Sequence, residues 1–294
     1  MVMNEFDRAK EELGVVEYNR RLRKVFGVQC LDFVDTIVIN LPGPCYANCH
    51  YCIDHELRKS KPNVAGFIDI CQSVFSEFPN IKHISITGGS LPHEKFNELL
   101  RLIREKYEDC SITWNTNGIG VNEKYLDGIR LINHINLHRN SVTELENSII
   151  YCASKPTMRI DEAKKLFGNA LCLRVTVDEN FDLDEYAKLG LPLYLNRMLP
   201  GTPRTDNAFS SLHKKLNFQG EIDRRRRNIY LNANYKGIPI RVCLGDKVAN
   251  HVPGRKPTYL NVVIIHRSGA VCGSWYEDDK VLLKPKGAEK GRED

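Results

Sequence analysis

The stretch Thr36-Ile37-Val38-Ile39-Asn40 passes through Leu41 into Pro42-Gly43-Pro44, and then into Cys45-Tyr46-Ala47-Asn48-Cys49-His50-Tyr51-Cys52. Its first five residues are mostly β-branched, the composition of a buried strand. Neither a helix nor a strand interior tolerates the Pro-Gly-Pro that follows, so the strand ends there. Three thiols, spaced by four and three residues, therefore sit in a loop at the C-terminal end of a strand. At those spacings they can converge on one point, and thiolates are soft ligands that favour iron–sulfur clusters or zinc. A cubane of four irons held by three local cysteines keeps one iron open to a small molecule.

The trio has three other readings. A structural zinc site wants four protein ligands and would enlist His50, His55 or a distant cysteine such as Cys30. An electron-transfer cluster also wants a fourth ligand, usually cysteine. Unligated thiols are the blandest reading, and they fit core packing poorly because they crowd beside prolines rather than along an apolar face. The open-site cluster accounts best for the pattern.

Outward from this loop the chain alternates. Phe67, Ile70, Cys71, Val74, Phe75 and Phe78 recur at helical spacing. Ile81 to Thr87 reads as the next strand, broken by Gly88-Gly89, and Phe96, Leu99, Leu100, Ile103 and Tyr107 mark the next helix. Strands follow at 111–115, 132–137, 171–177 and 191–196, with helical patterns at 122–126, 142–151, 161–167 and 183–189. Six strands alternating with helices predict a parallel sheet with right-handed crossovers, either an open doubly wound sheet or an incomplete barrel. Ahead of them, 5–25 is amphipathic and reads as a helix. After Asn196 the alternation stops: 207–235 reads as polar and mostly helical, 238–243 as a strand, and 259–266 with 270–275 as a hairpin about Arg267-Ser268-Gly269. The expected organisation is an N-terminal helical extension over 1–30, an α/β core over 31–200, a C-terminal helix and β-hairpin cap over 201–283, and a loose charged tail over 284–294.

Composition narrows the class. The 294 residues are 42% hydrophobic with a net charge of only +5, which argues against disorder and for a chain able to hide a sizeable core. No secretory signal or membrane-length apolar run is evident, so a cytoplasmic location with reduced thiols is expected, and ten cysteines call for metal, redox or packing roles. The basic surplus is local: 197–227 carries eight Lys/Arg against three Asp/Glu, including Arg224 to Arg227. That run reads as a solvated face rather than a nucleic-acid footprint, so no nucleic-acid or membrane partner is expected.

Cys-x3-Cys-x2-Cys after the first strand, with Tyr51 before the last cysteine, resembles the radical S-adenosylmethionine (radical SAM) superfamily. The resemblance covers 35 to about 196 and implies an α/β fold, a partial (β/α)6 TIM-like barrel, here with an N-terminal helical extension and a C-terminal β-containing cap. It implies a 4Fe-4S cluster on Cys45, Cys49 and Cys52, and S-adenosylmethionine (SAM) on the open iron. Thr87-Gly88-Gly89-Ser90 resembles the family's Gly-Gly-Glu-like turn, whose backbone binds the SAM amino group; Ser90 replaces the usual glutamate. Asn115-Thr116-Asn117-Gly118 resembles a Thr-Asn-Gly turn of the family, and Asn136 and His138 fall where members place polar groups against the ribose. Arg174, charged within a barrel strand, is expected to point inward to a carboxylate; the resemblance implies that of SAM, an internal acidic residue being the other reading. Tyr51 would pack near the adenine.

The chemistry so implied is reductive cleavage of SAM to a 5′-deoxyadenosyl radical, fed by an external electron donor of flavodoxin or ferredoxin type, followed by hydrogen abstraction from substrate. One cluster motif, a compact length and a polar, aromatic C-terminal segment suit a small polar substrate. They give a likeness to lyases of 7-deazaguanine bases such as queuine lyase. Modification of RNA or a peptide is the alternative, as is a non-catalytic iron–sulfur or zinc protein. Cys243 and Cys272 are buried-cysteine candidates, with Cys243 able to return a hydrogen atom to a product radical.

Overall fold

The computed structural model describes residues 34–45, 47–49, 64–138, 149–151, 158–197, 203–217, 219–223, 228–243, 262–272 and 281–283. The chain first forms β1 (Thr36–Leu41), β2 (Ala47–Cys49), α1 (Phe67–Glu77), β3 (His83–Gly88), α2 (His93–Lys106) and β4 (Ser111–Thr116). A short 3-10 turn leads into α3 (Leu126–Ile129), then β5 (His134–His138), β6 (Ile149–Tyr151), α4 (Ile160–Phe167), β7 (Leu171–Val177), α5 (Leu183–Ala187) and β8 (Leu193–Arg197). The last part comprises α6 (Pro203–Lys215), β9 (Gln219–Asp223), β10 (Asn228–Tyr235), β11 (Ile238–Cys243), β12 (Val262–Ile265), β13 (Val271–Cys272) and β14 (Val281–Leu283).

The six strands expected from the alternation lie side by side, parallel, in the order β1-β3-β4-β5-β7-β8. The C-terminal strands extend this sheet at both ends. β11 pairs parallel with β8 and β12 pairs parallel with β1. Antiparallel hairpins finish the edges, β10 and β9 beyond β11, and β13 and β14 beyond β12. The fold is thus a partial barrel of parallel strands flanked by helices, with antiparallel additions.

Two segments differ from the reading by pattern. Beyond Lys215 the helix expected over 207–235 gives way to β9 and β10: Ile229, Leu231, Ala233 and Tyr235 alternate at strand spacing, and antiparallel pairing joins β9 to β10 and β10 to β11. Lys236 and Gly237 turn this hairpin with φ of 52° and 83°, the two left-handed residues of a type I′ turn. Likewise 149–151, expected to end a helix, is a strand paired antiparallel with β2. The helix expected over 5–25 and the tail over 284–294 lie outside the described residues, as does Arg224 to Arg227.

Most of the parallel strands have one wholly apolar face and a more polar opposite face. Ile37, Ile39 and Leu41 alternate with Thr36, Val38 and Asn40; Ile112 and Trp114 with Thr113 and Asn115; Leu173 and Val175 with Arg174 and Thr176. The apolar set packs into one core with Phe67, Ile70, Cys71, Val74 and Phe75 of α1 and Phe96, Leu99, Leu100 and Ile103 of α2. Burying such side chains supplies roughly 1.5–3 kcal/mol each before the entropy cost. Polar ties hold these helices down. The Tyr107 hydroxyl, at the end of α2, reaches the Phe78 carbonyl at 2.6 Å at the end of α1. Arg104 donates to the carbonyls of Cys110 and Leu131, each at 2.6 Å, fixing the last turn of α2 to the entries of β4 and β5. The helices claim the apolar face, so the polar face becomes the concave inner wall.

Candidate functional site

Three glycines clasp the exits of β1 and β3. Gly43 N–H donates to the Ser90 carbonyl at 2.9 Å, Gly89 N–H to the Leu41 carbonyl at 3.1 Å, and Ser90 Oγ to the Pro44 carbonyl at 2.9 Å. No side chain fits between these backbones: a Cβ on Gly89 would lie 1.8 Å from the Gly43 oxygen, and one on Gly43 would lie 2.1 Å from the Ser90 oxygen. Gly88 has φ +88°, and a Cβ there would lie 1.8 Å from Asn40 Oδ1. The Gly88-Gly89-Ser90 turn therefore sets where the cysteine loop leaves the sheet. Ser90 spends its hydroxyl on that loop.

The β4 exit supplies the second wall. Thr116 Oγ1 accepts from Gly118 N–H at 3.0 Å and Asn117 Oδ1 accepts from Ile119 N–H at 2.9 Å, two side-chain turns that hold the loop rigid. With its oxygen so fixed, Asn117 turns its amide nitrogen to the Cys45 thiol, 3.7 Å away. One small pocket is lined by Cys45, Gly89, Ser90, Thr116 and Asn117, over Trp114 and Phe96. Residues read from three separate motifs thus meet at one place, the C-terminal mouth of β1, β3 and β4.

Deeper in the wall lies a polar chain whose hub is Asn115. Its Oδ1 accepts from Arg174 Nη1 at 2.7 Å and from Asn136 Nδ2 at 2.9 Å, and its Nδ2 donates to Ser85 Oγ at 3.1 Å. Arg174 also stands over the Tyr194 ring, 5.7 Å from its centre. Its acceptor among the described residues is this amide oxygen, where the sequence reading expected a carboxylate. His138 lies beside Arg174 in register. Cys172, on the same face beside Asn136, has its thiol pushed up to about 12 by burial, against a smaller opposing pull from Arg174. It is a neutral thiol at physiological pH.

Asn115, Ser85, Tyr194 and Asn40 were not singled out as site residues from the sequence. The period-two polar positions within otherwise apolar strands were the available signal. Asn40 is 2% exposed at the end of β1, and its Nδ2 has no hydrogen-bond partner among the described residues. Buried polar groups are rarely left so, and a donor here beside the Gly88 turn fits the acceptor atoms of a polar cofactor such as SAM. Cys45, half-buried at the mouth and approached by an N–H donor, fits a cluster thiolate. Tyr51 and Cys52 lie outside the described residues. Of Cys49 and Cys243 only the backbone is described, in β2 and at the end of β11. No group of three His, Cys, Asp or Glu side chains suited to a metal occurs among the described residues, which include the Cys45 side chain but not those of Cys49 and Cys52. Among the same residues no helix is long and apolar enough to cross a membrane.

No family model matches the chain, and no curated protein does. Solved structures do match. Streptococcus suis SuiB bound to precursor peptide SuiA superposes with a TM-score of 0.53 at 14% identity, over 88% of this chain and 63% of that one. Native anSMEcpe with bound AdoMet and Cp18Cys peptide gives 0.51 at 14% identity, over 84% of this chain and 74% of that one. His-tagged anSMEcpe with bound AdoMet gives 0.44 at 19% identity, over 56% and 51%. The chain therefore spans about half to three quarters of the length of these structures. At such identities the likeness concerns the backbone, and it agrees with the strand order: the fold is a partial barrel of the radical SAM type.

Proposed function

We propose that this protein is a radical SAM enzyme that acts on a peptide. The observation that carries the reading is the meeting of Cys45, Asn117 and the Gly88-Gly89 clasp at one mouth of a polar-walled partial barrel. A bound 4Fe-4S cluster with SAM supplies reductive cleavage of the sulfonium carbon–sulfur bond and, from it, a radical that takes hydrogen from substrate. Cys45, Cys49 and Cys52 would hold the cluster. The clasp between β1 and β3 fixes the exit of the cysteine loop, and with it the place of Cys45 at the mouth. Arg174, held by Asn115 and Tyr194, offers a guanidinium to the carboxylate of SAM, and Asn40 offers an amide donor near the Gly88 turn. The apolar outer layer keeps water out of the wall behind the site.

The peptide reading is supported by the two superposed structures of TM-score above 0.5, both of which are described with peptides bound. A lyase acting on a 7-deazaguanine base draws no support from either. The test is anaerobic reconstitution with iron and sulfide, then incubation with dithionite and SAM and measurement of 5′-deoxyadenosine. Wild-type protein should bind about four irons per chain, the content of a cubane cluster, and release deoxyadenosine; Cys45→Ala, Cys49→Ala and Cys52→Ala should do neither. Comparing a proteolytic peptide mixture with 7-deazaguanine bases as stimulators of that release then tests the substrate class. Stimulation by the bases alone would overturn the peptide reading.

A further inference from the structure

We infer that Asn117 is a positioning residue that raises the reduction potential of the cluster by donating a hydrogen bond to the sulfur of Cys45. This rests on the cluster assignment proposed above and deepens it. Two features of the β4 exit carry the inference. The Asn117 side chain is not free to flip, because Oδ1 already accepts the Ile119 N–H at 2.9 Å, which leaves the amide NH2 as the group facing Sγ at 3.7 Å. The loop that carries it is fixed as well: Gly118 has φ +76°, its N–H is bonded to Thr116 Oγ1 at 3.0 Å, and a Cβ there would lie 3.0 Å from Leu137 Cδ1. The donor is thus aimed at the sulfur by backbone geometry, before any metal is bound.

The consequence is electrostatic. In the one-electron couple the oxidised cluster takes up one electron from a reductant such as dithionite, no proton moves at Asn117, and the added negative charge spreads over the sulfurs. An N–H dipole pointing at a ligand sulfur stabilises the reduced form more than the oxidised one. Hydrogen bonds to cluster sulfurs are among the main determinants of potential, and outer-shell partners tune metal ligands in the same way. Removing the donor should make the cluster harder to reduce while leaving all three thiols in place.

The experiment is an anaerobic redox titration of the reconstituted full chain, followed by electron paramagnetic resonance of the reduced cluster, for wild type, Asn117→Leu and Asn117→Asp. The aspartate keeps an oxygen for the Ile119 N–H and replaces the donor with a charged oxygen, so it guards against a variant that fails through a broken turn. At the wild-type midpoint, the ratio of reduced to oxidised cluster should fall roughly tenfold in Asn117→Leu, which is about 59 mV for one electron, and further in Asn117→Asp. Unchanged midpoints at wild-type iron content would overturn the inference. So would loss of iron from both variants, which would make Asn117 a requirement for assembly instead. Wild-type protein that takes up no iron would sink the cluster assignment itself, a result distinct from either.

Discussion

Removal of the Asn115 side chain should loosen the inner wall by an amount the contacts define. In Asn115→Ala the Arg174 guanidinium loses an acceptor at 2.7 Å, and Asn136 and Ser85 lose partners at 2.9 and 3.1 Å. A hydrogen bond to a charged group is worth about 1.5–3 kcal/mol and each neutral one about 0.5–1.5 kcal/mol. Arg174 is only half-buried, so water recovers part of the first contribution. The expected loss is about 2–4 kcal/mol. A double-mutant cycle isolates the central contact: Asn115→Ala and Arg174→Ala together should cost about 1.5 kcal/mol less than the sum of the two alone. Urea unfolding in reducing buffer, followed by tryptophan fluorescence, is a suitable assay because buried Trp114 neighbours Asn115 on β4. Additivity of the two substitutions within about 0.3 kcal/mol would show that the guanidinium and the amide are not coupled, and the wall described here would be wrong.

Three further outcomes are expected. Gly89→Ala, whose new carbon would sit 1.8 Å from the Gly43 oxygen, should cost about 1–3 kcal/mol or more by overpacking, seen as a lower urea midpoint; wild-type stability would refute the backbone clasp. Asn196, 7% exposed with Oδ1 unpartnered among the described residues, should lose a desolvation penalty in Asn196→Leu, so that the protein gains about 1 kcal/mol in the same assay; a loss would mean that the amide is already satisfied. Asp184 bonds to Lys236 and the Tyr235 hydroxyl, which hold its carboxyl below the ordinary carboxylate value of 3.8. A folded-state value below the unfolded one gives stability that is present above about pH 4 and lost as pH falls through the folded value. Asp184→Asn should therefore show a flatter decline in thermal midpoint below pH 4 than wild type, and parallel declines would count against the contact.

The six central parallel strands were legible because each carries its own hydrophobic signal and turn residues follow it, whereas the parallel places of β11 and β12 at the two ends rest on pairing distant in sequence. β9, β10 and β6 were not legible: β6 is three residues long with a partner distant in sequence, and the alternation of Ile229, Leu231, Ala233 and Tyr235 in β10 lies within a stretch of polar, helix-like composition. β6 pairs with β2 across about a hundred residues, a contact no local pattern encodes. At the site, the sequence marked the turns by their glycines and asparagines, and the structure brings Gly89, Ser90, Asn117 and Cys45 into one pocket. The wall was harder to see. Asn115, Asn136 and Arg174 read one at a time as isolated polar residues, and only the register of β4, β5 and β7 turns them into a single hydrogen-bonded chain.

The pairing of β2 with β6 sets Cys49 opposite Ile149, with the backbone of the thiol loop zipped to the long crossover that follows β5. An insertion or deletion in that crossover, of the sort a surface connection ordinarily absorbs without harm, would slip the zip by a residue. The backbone of Cys49 would then face a different partner, so the spacing of a stretch bearing none of the motif cysteines is tied to the strand that carries one of them.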